Sequence, residues 1–177
     1  AAVEVAKAMG ATVIATAGDA GKLAIARAHG ADHLIDYRTE ALRGRVKEIC
    51  VRSNGSDGVD VVYDPVGGEV FDQSLRCAAW SGRLVVIGFA SGTVPQIPAN
   101  YLLVKNLSVL GLYWGSYRKH RPAMLAEAFA DLFSWYEAGR LRPHVSQTLD
   151  LGEAAAALDL LKTRRSTGKV VLTTARA

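Results

Sequence analysis

Three stretches of this sequence combine residue types and spacings suited to holding an anionic small molecule. In the first, Thr16-Ala17-Gly18 is followed by Lys22, so a residue with no side chain to obstruct a ligand stands four positions before a cation. The others are Asp64-Pro65-Val66-Gly67 and Gly88-Phe89-Ala90-Ser91-Gly92, whose glycines allow a backbone to approach a ligand closely. Turn chemistry is the competing explanation for all these glycines, and a solvated side chain is the competing explanation for Lys22. Groups for covalent or hydrolytic catalysis are not assembled. His29 and His33 are four apart, but Gly30 interrupts any helix that would align them as metal ligands. His120 and His144 have no clustered acidic or thiol partners, and Cys50 and Cys77 stand in neither a Cys-x-x-Cys pair nor a zinc-ligand spacing. No serine nucleophile elbow, triad or paired carboxylate is present, so no catalytic residue and no metal site is assigned.

The elements that must position these stretches follow from periodicity. Of 177 residues, 50% are apolar and 21% charged, the balance of a globular domain with a full core. The length excludes two complete large domains. No apolar run approaches the roughly 18 to 20 residues of a membrane span, and Glu4 and Lys7 interrupt the opening segment, so a soluble, cytoplasmic chain is expected. The net charge of +4 is scattered and aromatic content is 7%, which disfavours nucleic-acid binding. Strands are expected at Thr12 to Ala17, His33 to Asp36, Val59 to Tyr63, Arg83 to Gly88, Leu107 to Tyr113 and Lys169 to Thr173, most of them near-continuous apolar runs. Between them run helical segments: Ala20 to His29 stopped by Gly30, Thr39 capping a helix to Arg52, Gly68 to Ala79, and Glu153 to Lys162. Another follows Pro122, with Leu125, Phe129, Leu132 and Tyr136 on one face and Gly139 ending it.

Alternating strands and helices of this kind imply an α/β fold, a Rossmann-type doubly wound parallel sheet. In such sheets ligands bind at the carboxyl ends of the strands, where all three stretches fall. An acidic residue at the end of the second strand would suit an unphosphorylated ribose, whereas Gly18 and Lys22 suit a 2′-phosphate, with Asp19 beside them as a repulsive neighbour if it points inward. The beginning is anomalous. Ala1 to Gly10 reads as a helix with no N-cap, no Gly-rich turn and no strand before it, so the sheet is expected to lack its central first strand and its phosphate-binding turn.

Four blocks in order, Ala2 to Thr16, Gly30 to Arg38, Gly58 to Gly68 and Gly168 to Leu172, resemble the zinc-independent quinone oxidoreductase branch of the medium-chain dehydrogenase/reductase superfamily. The resemblance covers essentially the whole chain and implies the cofactor domain of an NADPH enzyme that transfers hydride to a quinone, enone or enoyl substrate. It divides the chain into a truncated NADP-binding Rossmann domain, residues 1–140, and a segment, residues 141–177, that returns to a separate catalytic domain. It places Gly18 and Lys22 at the NADP phosphate, joined by Tyr37 and by Arg164. Val66, Gly67, Gly88, Phe89 and Ala90 flank ribose and nicotinamide, although some relatives carry a hydroxyl where Pro65 stands and an amide where Phe89 stands. It further implies a homodimer through the edge strand Leu107 to Tyr113, a last strand left without its partner, and a fragment that is inactive alone. Two other readings stay open: a non-catalytic Rossmann-type dimerisation or binding module, and a methyltransferase using S-adenosylmethionine, disfavoured by Ala17-Gly18 where an acidic ribose ligand is needed.

Overall fold

A computed structural model describes residues 1–163 and 165–174. The elements in chain order are α1 (Ala2–Ala8), β1 (Ile14–Ala17), α2 (Ala20–Ala28), β2 (His33–Asp36), α3 (Leu42–Asn54), β3 (Val59–Asp64), α4 (Gly68–Cys77), β4 (Ala78–Val86), α5 (Ala99–Lys105), β5 (Ser108–Gly111), α6 (Tyr117–His120), α7 (Pro122–Glu137), β6 (Val145–Asp150), α8 (Ala154–Lys162) and β7 (Lys169–Thr173). The fold is the expected α/β, Rossmann-type class. β1 and β2 form one two-stranded sheet, β3, β4 and β5 a three-stranded parallel sheet in that order, and β6 and β7 a parallel pair. Among the described residues, β1 pairs only with β2 and β3 only with β4, so each keeps an unpaired edge. The chain divides into two compact units, Ala1–Leu34 with Phe129–Ala177, and Ile35–Ala128.

The second unit is built on α4. Phe71 and Leu75, one turn apart, are buried with Ala78, Leu84 and Leu107, and Val62, Val86, Tyr101, Leu102 and Val109 pack around them. Burying side chains as large as Phe71 and Leu84 contributes about 1.5 to 3 kcal/mol each. α3 buries Leu42, Val46, Ile49 and Cys50, an i, i+4, i+7, i+8 stripe. Its start differs from the expected Thr39 cap. Thr39 and Glu40 both donate their N–H groups to the Asp36 carbonyl, and the Glu40 carboxylate accepts from Asp36 N–H at 2.9 Å, so a closed turn occupies 36–40 and the helix begins at Leu42. β3 leaves Val61 and Tyr63 about half exposed, because a strand paired on one edge is covered less fully than a central one.

Several boundaries move for identifiable reasons. Val13 stays outside β1 because its N–H goes to the Asp32 carboxylate at 2.7 Å and its carbonyl accepts from Asp32 and His33. The same carboxylate holds Lys7 at 2.8 Å, and chiefly that contact keeps the Asp32 carboxyl below its ordinary range. β4 starts at Ala78, five residues earlier than expected, and its register with β3 shifts between Val59 and Val61. The strand expected at Leu107 to Tyr113 is shorter: Leu107 turns into the core, and Tyr113 already opens a 3₁₀ turn over Trp114–Ser116.

The first unit buries less. Its buried apolar residues among those described are Leu23, Ala31, Leu141 and Ala157, while Leu151, Leu158 and Leu161 stay exposed. β6 was not expected from sequence, and it gives the last strand a local partner: β7 pairs with β6 in parallel from Val145↔Lys169 to Asp150↔Thr173. The last strand is therefore not left without a partner, as the resemblance had implied. Between them Asp150 and Glu153 form a reciprocal capping box that starts the turn into α8. On α7 the expected face is also corrected. Leu125 and Leu132 are half-buried, but Phe129 and Tyr136 are exposed, and Phe129 stacks on the exposed Phe133 with centroids 5.9 Å apart.

Candidate functional site

The site begins where three parallel strands end. Hydrogen bonding continues one step past them, Ile87 N–H to the Asp64 carbonyl at 2.9 Å and Leu112 N–H to the Val86 carbonyl at 3.0 Å, so the loops after β3 and β4 leave the sheet side by side. These loops are stitched together. Ala90 N–H donates to the Pro65 carbonyl at 3.1 Å, Ser91 N–H to the Val66 carbonyl at 2.9 Å, and Gly68 N–H to the Thr93 carbonyl at 3.2 Å. Asp64, 3% exposed, turns its carboxylate back into the first loop, where it accepts from Val66 N–H at 2.7 Å and Gly67 N–H at 3.1 Å. Gly67 sits at φ 70° and ψ −162°, a region essentially confined to glycine. A Cβ there would lie 2.8 Å from the Thr93 carbonyl oxygen and 3.1 Å from the Phe89 ring.

Val66, Gly67, Gly88, Phe89 and Ala90 are thus brought together in one double loop. The N–H groups of Val66, Gly67 and Ala90 serve the loops themselves, which makes the pair a preformed cradle. What it presents outward is surface: the 43% exposed Phe89 ring and the half-buried Val66. Gly88 has ordinary room for a side chain, its nearest neighbour to a Cβ being 3.6 Å away, so its glycine is not required by packing within the loops.

At the end of β1, Asp19 is the N-cap of α2 and accepts from Lys22 N–H at 3.0 Å. The carboxylate that could have repelled an anion is therefore engaged in the helix cap. Gly18 immediately precedes it, and the half-buried Lys22 stands in the first turn of α2. Tyr37 follows β2 and is exposed, in a turn where Asp36 accepts from Arg38 N–H at 2.9 Å. Arg164 lies outside the described residues. Neither cysteine is poised for chemistry: burial pushes the Cys77 thiol up to about 11 and raises that of Cys50 as well. A shallow depression of about 520 Å³ beside Tyr136 and Arg142 contains none of the residues expected at the site.

This arrangement can be set against known proteins. The sequence profile of the zinc-binding dehydrogenase family matches residues 1–131. The chain is 43% identical to quinone oxidoreductase-like protein 2 homolog of Nematostella vectensis, covering 86% of this chain and 41% of that protein. It is 39% identical to quinone oxidoreductase of Pseudomonas aeruginosa, covering 94% and 50% respectively. Among solved structures, Escherichia coli quinone oxidoreductase complexed with NADPH superposes with a TM-score of 0.83 at 35% identity, over 97% of this chain and 52% of that one. The chain spans about half the length of the relatives it matches. A family profile over most of the chain, together with the doubly wound fold and its paired loops, places this chain in the zinc-binding dehydrogenase family, as a quinone oxidoreductase-like member of the medium-chain dehydrogenase/reductase superfamily.

Proposed function

We infer that this chain is the NADP-binding part of a zinc-independent oxidoreductase that transfers hydride from NADPH to a quinone, enone or enoyl acceptor in the cytoplasm. The observation that carries this reading is the double loop at the carboxyl ends of β3 and β4, whose close pairing Gly67 permits in a glycine-only conformation. The nicotinamide supplies the hydride when bound, and the protein's part is to position it and exclude water. Val66, Gly67, Gly88, Phe89 and Ala90 would take the ribose and nicotinamide. Gly18, Lys22, Tyr37 and Arg164 would recognise the 2′-phosphate, a role helped by the engagement of Asp19 in capping α2. None of these is a catalytic residue, so the chain alone is expected to be inactive. In NADPH and NADH titrations, Lys22→Ala should weaken NADPH binding by about 1 to 3 kcal/mol, the cost of losing one charge-assisted partner, and leave NADH binding unchanged. Equal losses for the two nucleotides would refute the assignment.

The same reading makes the protein a homodimer through β5. Among the described residues that strand is an edge, bonded only to β4, and it carries neither proline nor charge to blunt it. Its two central residues differ: Val109 packs on the core, whereas Leu110 is 46% exposed. Leu110→Lys should therefore shift a dimer toward monomer in sedimentation without unfolding it, while Val109→Lys also disturbs the core. A dimer unaffected by Leu110→Lys would place the interface elsewhere.

A further inference from the structure

Glu40 stands just before α3 begins to wind, a place from which a carboxylate can serve the free N–H groups and the dipole of a helix. Here it faces the other way. The N-cap of α3 is Ala41, whose side chain accepts nothing, and the Glu40 carboxylate turns back to the end of β2, where its Oε1 accepts from Asp36 N–H at 2.9 Å. Glu40 N–H donates in return to the Asp36 carbonyl at 2.8 Å. The two residues therefore close the turn on each other from both directions.

The other oxygen fixes the carboxylate itself. Oε2 accepts from Arg45 Nε at 2.8 Å, and Arg45 donates in turn to Glu48, which also holds Arg52 at 2.9 Å. Glu40 is thus braced against the first turn of α3 while it grips the strand end. The residues on either side of the turn are pinned by burial, Ile35 at 0% and Leu42 at 4% exposure. Between them Asp36 Oδ1 accepts from Arg38 N–H at 2.9 Å, and the Asp36 carbonyl accepts from Thr39 N–H at 3.2 Å. What projects is a tip of three exposed residues, Tyr37, Arg38 and Thr39. All of these groups lie within the second unit.

We propose that Glu40 is a positioning residue for cofactor selection, holding the turn at 36–40 closed so that Tyr37 is in place for the adenosine 2′-phosphate before the nucleotide arrives. The role rests on the NADP reading of this chain, in which Tyr37 meets that phosphate. An exposed tip loses backbone freedom when it orders around a ligand, and a tip already ordered by its own protein forgoes that loss on binding. Glu40 itself touches no part of the nucleotide. Its effect passes through Tyr37 and is confined to the ligand that carries the phosphate.

Amide hydrogen exchange and nucleotide titration test it together. In the ligand-free protein, Glu40→Ala should lower the protection of the N–H groups at positions 39 and 40 while that of Leu84 in β4 holds. The same variant should raise the Kd for NADPH about fivefold and leave that for NADH unchanged, since only the first ligand engages the tip. Glu40→Gln keeps an oxygen for Asp36 N–H and should restore most of both. Tyr37→Ala should also cost NADPH affinity alone, and adding Glu40→Ala to it should cost no more, because residues acting through one contact are not additive. Additive losses, equal losses for the two nucleotides, or unchanged protection in Glu40→Ala would overturn the role of Glu40 and leave Tyr37 at the phosphate. An NADPH preference untouched by Tyr37→Ala would instead remove Tyr37 from the phosphate and overturn both.

Discussion

Replacing Gly67 with alanine should destabilise the protein by about 2 to 5 kcal/mol and remove most of its affinity for NADPH. Two costs combine at this position. The backbone sits at φ 70° and ψ −162°, where a side chain costs about 1 to 3 kcal/mol in strain. The added Cβ would also meet the Thr93 carbonyl oxygen at 2.8 Å, and that oxygen cannot swing away freely because it accepts from Gly68 N–H. Relief requires the loops after β3 and β4 to separate, which opens the proposed cradle. Gly92→Ala is the matched control. Its φ of 85° carries a similar conformational penalty, but a Cβ there has nothing within 4 Å, so about 1 kcal/mol and little change in NADPH binding are expected. Denaturant unfolding and NADPH titration on both variants separate strain from collision. Equal effects would mean the loop contact has no weight.

Asp64→Ala should be nearly as damaging, at about 2 to 5 kcal/mol, because it leaves the Val66 and Gly67 N–H groups without the acceptor they share in a buried site. Asp64→Asn keeps an oxygen in the same place and should cost about a third as much, with NADPH binding largely kept. Urea melts of the three proteins decide it. If asparagine is as harmful as alanine, the negative charge rather than the acceptor organises the loop.

How much of this was legible in advance follows from the range of each interaction. The α/β class and the stretches that become the paired loops are local patterns, and local patterns survive into the fold. Residues 64–67 and 88–92 could be marked as close-approach loops from their glycines alone. Sequence could not distinguish the indispensable Gly67 from the roomier Gly88, because that depends on where Thr93 and Phe89 arrive from across the sheet. β6 was missed because Val145–Asp150 alternates only weakly, and it becomes a strand through pairing with β7, which begins 24 positions later. On α7, apolar residues surround the helix, so composition cannot choose between the face with Leu132 and the face with Phe133, and packing makes that choice. The cluster of Glu4, His29 and His144 was invisible for the same reason. His29 and His144 read as isolated residues along the chain, and only the tertiary fold sets His29 against the buried Glu4 carboxylate and His144 against the His29 ring. The sequence by itself determined the class of fold, most of its strands and helices and the two glycine-bearing loops after β3 and β4, since periodicity and glycine placement act over a few residues. Register, the exposed face of α7 and the contacts of each buried charge were decided by chain segments far apart in sequence, whose meeting only the folded structure specifies.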